Sequence, residues 1–106
     1  MTDHNLYLGL MSGTSTDGID AAIVEFSDKK ALLCASLCVP LAESVKYRIQ
    51  DLQINPKGDF LKLFSLDQEL GSLFGAAALR ICEQADIEIK KIRAIGSHGQ
   101  TIYHAP

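Results

Sequence analysis

Two short runs of alternating apolar residues, Leu6-Leu8-Leu10 and Ile19-Ala21-Ile23, flank the stretch Ser12 to Gly18, which holds only glycine, hydroxyl residues and one acid. A period of two marks a strand with one buried face, so the chain opens with a β-hairpin. A plain hairpin connection needs about 2 to 5 residues. This one is longer, and Ser12, Thr14, Ser15 and Thr16 add hydroxyl donors to its main-chain N–H groups. Gly13 and Gly18 lack Cβ, which opens φ > 0 to the chain and lets the backbone approach a ligand, with successive N–H groups aimed into one concavity. Such a loop can wrap an anion. Asp17 and Asp20 would repel a bare phosphate but suit one carried with Mg²⁺. An ornate surface hairpin with an Asp-Gly turn would use the same residues. Neither familiar nucleotide fingerprint is present: no lysine follows to complete G-x-x-x-x-G-K-[ST], and no G-x-G-x-x-G opens a helix. A nucleotide bound here would be held from a hairpin.

The 106 residues allow one domain at most and are short for a two-domain enzyme with a closing cleft. A hydrophobic content of 47% with 22% charged residues is ordinary for a globular chain and excludes disorder over most of its length. The net charge of −3 gives no basic footprint, and the pairs Lys29-Lys30 and Lys90-Lys91 read as solvated turns, so nucleic acid is not an expected partner. Met1 to Asn5 do not lead a positive charge into an apolar stretch, and no apolar run reaches the roughly 18 residues of a membrane helix. No membrane role is expected, and the cytoplasm is the expected compartment. Three cysteines, an odd number, agree with a reducing environment. Cys34 and Cys38 are four apart on an expected strand, about 13 Å at ~3.3 Å per residue and beyond the ~7 Å disulfide limit. Cys34, Cys38 and Cys82 therefore read as core fillers.

Beyond the hairpin, Ser27 to Lys30 reads as a short turn and Ala31 to Leu41 as a third apolar run, giving an antiparallel meander. Ser44 to Leu52 places Val45, Ile49 and Leu52 at helical spacing, and Asn55 to Asp59 breaks that helix. A longer helix follows, with Phe60, Leu63, Leu66, Leu70, Leu73, Ala77 and Ile81 three or four apart. Gly71, Gly75 and Ala78 form a smooth strip on which this helix could lie close to a sheet. Ile92 to Ile95 is a final short strand, and the long helical connection before it permits parallel pairing with the first sheet. The expected order is β-β-β-α-α-β, an α/β chain.

That last strand runs into Gly96-Ser97-His98-Gly99-Gln100-Thr101. Small and polar residues at such a strand end are where open α/β sheets place ligands. His98 donates and accepts hydrogen bonds, Gln100 offers a two-sided amide, and Gly96 and Gly99 leave room for something bulky such as a sugar. A turn with a solvated histidine would also fit. Metal ligation is disfavoured, because His98 and His104 would stand about 20 Å apart in an extended strand at ~3.3 Å per residue, with no carboxylate or cysteine at ligand spacing.

Gly9 to Asp20, together with Ala94 to His104, closely resembles the N-terminal part of the bacterial 1,6-anhydro-N-acetylmuramic acid kinases, and Leu66-Asp67 and Leu70-Gly71-x-x-Phe74 are similar to the helix between those motifs. The resemblance covers essentially all of residues 1–106 and implies the opening of the first of two ribonuclease-H-like domains, as in the sugar kinase, Hsp70 and actin superfamily of ATPases. It implies use of ATP, with Mg²⁺, and water to open the anhydro ring and phosphorylate O6, giving N-acetylmuramic acid 6-phosphate in cell-wall recycling. By position, Gly13, Thr14, Ser15, Thr16, Asp17, Gly18, Ile19 and Asp20 would form the ATP phosphate loop. Ser97, His98, Gln100 and Thr101 would fall on the sugar side. The family's usual loop has Met where this chain has Thr16, and the position of the superfamily's metal-linked aspartate is Met11, so no metal ligand carries over. The resemblance also implies a homodimer, with the general base, adenine site and second domain beyond Pro106. A segment without them is expected to be inactive by itself. The alternative is a noncatalytic nucleotide-binding or interaction module of the same superfamily.

Overall fold

A computed structural model of the protein describes residues 5–12, 18–54 and 60–100. Four strands and two helices follow in the order β1 (Leu6–Ser12), β2 (Gly18–Ser27), β3 (Lys30–Pro40), α1 (Glu43–Ile54), α2 (Phe60–Ala85) and β4 (Ile92–Gln100), with a single 3-10 turn, Ile89–Lys91, before β4. The sheet order is β3-β2-β1-β4. The first three strands form the expected antiparallel meander, and β4 joins β1 in parallel.

Alternation decides which face is covered. Leu6, Leu8 and Leu10 of β1 and Ile19, Ala21 and Ile23 of β2 point to one side and are buried. Val45, Ile49 and Leu52 of α1 and Leu66, Leu70, Phe74, Ala77, Ala78, Ile81 and Cys82 of α2 join them in one cluster. Ile19, Ile23, Ile49, Leu66 and Ile81 expose essentially nothing, and each such side chain contributes about 1.5–3 kcal/mol through burial. Arg48 bridges the helices, pairing with Glu69 and donating from Nη2 to the Ser65 hydroxyl at 3.2 Å. The other face of the sheet carries no helix among the described residues.

Three local features show how the chain turns. Asp28 and Lys29 link β2 to β3 with φ of 45° and 71°, the doubly left-handed geometry of a type I′ hairpin. At the end of α2, Asp86 has φ 58°, its N–H reaches the Glu83 carbonyl at 3.2 Å, and the Ile87 N–H reaches the Cys82 carbonyl at 2.9 Å. This is a Schellman closure with Asp in the place glycine usually takes. On β3 the pairing jumps from Ile23↔Ala35 to Val24↔Leu33, so Cys34 is the extra residue of a bulge.

Three sequence expectations are corrected. Cys34 and Cys38 are exposed rather than core fillers, and Cys82 alone of the three is buried. Cys34 stands at the bulge, and Cys38 pairs with Asp20, on the uncovered side of the sheet. Gly71 and Gly75 do not lie against the sheet. Both are exposed, and a Cβ at either would meet nothing within 4 Å, whereas Ala78 on the same strip is buried. Finally, β4 does not stop at Ile95: it continues to Gln100, so Gly96, Ser97 and His98 belong to the strand itself and not to a loop after it.

Candidate functional site

Among the residues expected to hold phosphate, Gly13, Thr14, Ser15, Thr16 and Asp17 lie outside the described residues, as does Thr101 of the second motif. The flanks of the loop are described. Ser12 closes β1 on the helix side and is fully buried. Gly18 opens β2, where a Cβ would stand 2.7 Å from the Val39 carbonyl oxygen and 3.0 Å from the Cys38 sulfur. Its φ lies outside the left-handed region, so glycine is required here by the close approach of β3 rather than by a turn. Ile19 places its side chain in the core and can offer a ligand only its main chain. Asp20 is exposed on the uncovered face.

The parallel pairing brings the second motif beside the first. Gly9 stands opposite Gly96, Leu10 opposite Ser97 and Ser12 opposite Gln100, with an irregularity between the last two pairs. Residues paired across parallel strands share a face. Ser97 therefore goes with buried Leu10 to the helix side, while Gly96 goes with Gly9 to the uncovered side. His98 follows Gly96 and, with Gly9, Met11 and Asp20, lines a concavity of about 650 Å³ on that side.

The floor of this trough is a row of small residues. Ser36 pairs with Ala22, Ala22 with Gly9, and Gly9 with Gly96, and nothing lies within 4 Å of a Cβ built on Gly9 or Gly96. One rung nearer the Ser12–Gly18 connection, Cys38 pairs with Asp20 and Asp20 with Met11, and His98 flanks Met11 on β4. Two strand spacings separate the main chains of Asp20 and His98, about 10 Å. At that distance an acid and an imidazole do not meet, and Met11, half exposed, stands between them. Among the described residues neither side chain forms an ion pair, and no cluster of three His, Cys, Asp or Glu is suited to a metal. No helix among them is long and apolar enough to cross a membrane. Sequence reasoning missed the opposite orientation of Ser97 and His98. The signal was their adjacency, which decides orientation only once the strand is known to run through both.

Fold and site together define an α/β protein with a mixed sheet, whose two unusual motifs meet at one end of neighbouring strands. Residues 5–106 match the model of the family described as anhydro-N-acetylmuramic acid kinase. Proteins of that name share 37% identity over all 106 residues in Vibrio vulnificus (strain CMCP6), 40% over 101 residues in Hydrogenovibrio crunogenus and 43% over 100 residues in Sulfurovum sp. (strain NBC37-1). These alignments cover 100%, 95% and 94% of this chain and 29%, 28% and 28% of the respective relatives. The chain belongs to the anhydro-N-acetylmuramic acid kinase family, and it spans under a third of the length of these relatives.

Proposed function

We propose that this chain is the N-terminal, ATP-phosphate-binding part of a kinase that adds water across the anhydro bridge of 1,6-anhydro-N-acetylmuramic acid and transfers the γ-phosphoryl group to O6. The products are N-acetylmuramic acid 6-phosphate and ADP, in cytoplasmic recycling of cell-wall sugar. In this reading the sheet is the opening of a ribonuclease-H-like domain of the actin-like ATPases. The observation that carries it is the Ser12↔Gln100 pairing, which sets two motifs more than 80 residues apart in sequence side by side at one end of the sheet.

Phosphoryl transfer depends mainly on positioning and charge stabilisation. Gly13 to Asp17 supply main-chain N–H and hydroxyl donors to the phosphates, and Gly18 lets the start of β2 lie tight against β3. Asp20 presents a carboxylate on the uncovered face, an oxygen donor of the kind Mg²⁺ takes alongside phosphate oxygens and retained waters. Bound Mg²⁺ would neutralise charge on the phosphates. Ser97, His98, Gln100 and Thr101 form the sugar side, and the base that activates water lies outside this segment.

The test is turnover by a protein of the relatives' full length, supplied with ATP and the anhydro sugar. Formation of the 6-phosphate is expected, and Gly13→Val should lower ATP turnover about 100-fold or more by blocking close backbone approach. Activity near wild type in that variant would remove the loop from the phosphate site. Nucleotide binding without any product would favour the noncatalytic module.

A further inference from the structure

We propose that the outer side of the α1–α2 pair is a docking surface for a second copy of this chain, with Asp51 of each copy meeting Lys62 of the other. A helix of a globular protein turns its large apolar residues inward, yet four on this pair stand outward. Tyr47 and Ile54 of α1 are 70% and 78% exposed, and Leu61 and Phe64 of α2 are 75% and 61% exposed. Tyr47 and Ile54 stand at i and i+7, Leu61 and Phe64 at i and i+3, spacings that keep each pair on one side of its helix. Tyr47 and Leu61 also line one groove of about 500 Å³ between the helices, with buried Leu52 and Leu66 below them.

Charge decides what fits there. Asp51 from α1 and Lys62 from α2 line the same groove. Among the described residues the ion pairs are Lys46–Glu43, Arg48–Glu69 and Lys90–Glu88, so the third charge of the groove, Arg48, is already paired, while Asp51 and Lys62 are not. A surface built for a strongly acidic or basic partner would carry one sign, whereas this one carries both. Two-fold pairing of identical patches sets residue i against j and j against i, so an acid on one helix and a base on the other satisfy each other twice. The groove between two helices is also the ordinary seat for the side-chain ridge of a third. At about 150–250 Å² for an aromatic side chain, the four outward residues offer on the order of 500 Å² per copy, and two copies together reach the roughly 1,000 Å² that a specific interface needs.

The experiment uses a protein of the relatives' full length and measures mass by sedimentation equilibrium for the wild type, Asp51→Lys, Lys62→Asp and an equimolar mixture of the two variants, with thermal melts to verify folding. Expected is a dimer for the wild type and a dissociation constant at least about tenfold higher for either variant, because two like-charge contacts replace two attractive ones. Mixing should restore the dimer, since a copy with lysine at both positions then meets one with aspartate at both. A monomeric wild type, as when the rest of its own polypeptide covers the surface, overturns the proposal. So does a dimer that both reversals leave intact, or one that mixing fails to restore. Should Asp51→Lys fail to fold, Lys62→Asp decides by itself, since it alone sets acid against acid at both contacts.

Discussion

Burial raises the pKa of the Cys82 thiol above its ordinary value, because a thiolate in the cluster with Ala77, Ala78 and Ile81 would lose its water. The sign for stability follows. The folded state holds this proton more tightly than the unfolded chain, so the contribution is fully present below the unfolded pKa of about 8.5 and is lost as pH rises through the higher folded value. Urea melts at pH 7 and pH 10 should show a larger fall for the wild type than for Cys82→Ala. A thiol reagent should label Cys34 and Cys38 quickly and Cys82 only as the chain opens. Equal rates for all three would contradict the burial. Cysteine type alone could not separate these positions, since a small, weakly polar side chain suits a core or an edge strand equally. What separated them was the bulge at Cys34 and the exposure of β3, neither of which leaves a composition signal.

At the scale of elements, the 26-residue α2 extends for about 39 Å, and its two halves are covered unequally. Toward its C-terminus Ala77, Ala78, Ile81 and Cys82 are all buried, whereas Leu61 and Phe64 near its start are largely exposed. Gly71 and Gly75 fall where the helix is covered on one narrow side only. Alanine at each should therefore stabilise the 106-residue chain by about 0.5–1 kcal/mol, through higher helix propensity and a less flexible unfolded state, measurable as a higher urea midpoint with unchanged slope. A loss of stability would mean that the strip is packed after all. Periodicity did reveal the inward residues: Val45, Ile49 and Leu52 of α1, Leu66, Leu70, Ala77 and Ile81 of α2, and the alternating residues of β1 and β2 are all buried. It could not show where along a long helix the sheet ends. Nor could it extend β4 through Gly96, Ser97 and His98, whose small and polar character reads locally as a turn and whose strand state depends on hydrogen bonds to distant β1.

Considered as a whole, the described residues form a sheet with one face covered by helices and the other open, and Asp20 and His98, one from each motif, line a concavity on the open one. The motifs were legible as separate short patterns. Their meeting was not, because it depends on the chain passing through two helices before β4 pairs in parallel with β1. Phosphoryl transfer to a sugar also needs an acceptor oxygen held in line with the γ-phosphate and a base within hydrogen-bond reach of the attacking water. On the uncovered face, Asp20 and His98 stand about 10 Å apart, with Asp20 given to the nucleotide in the proposed function and His98 to the sugar. Neither remains for activating water. The 106-residue chain by itself should therefore show no sugar phosphorylation above the rate in buffer when given ATP, Mg²⁺ and the anhydro sugar, whereas a protein of the relatives' full length should turn over. Measured by release of ADP and appearance of the 6-phosphate, product formation by the isolated chain would place the base within these residues and make His98 the first candidate for it.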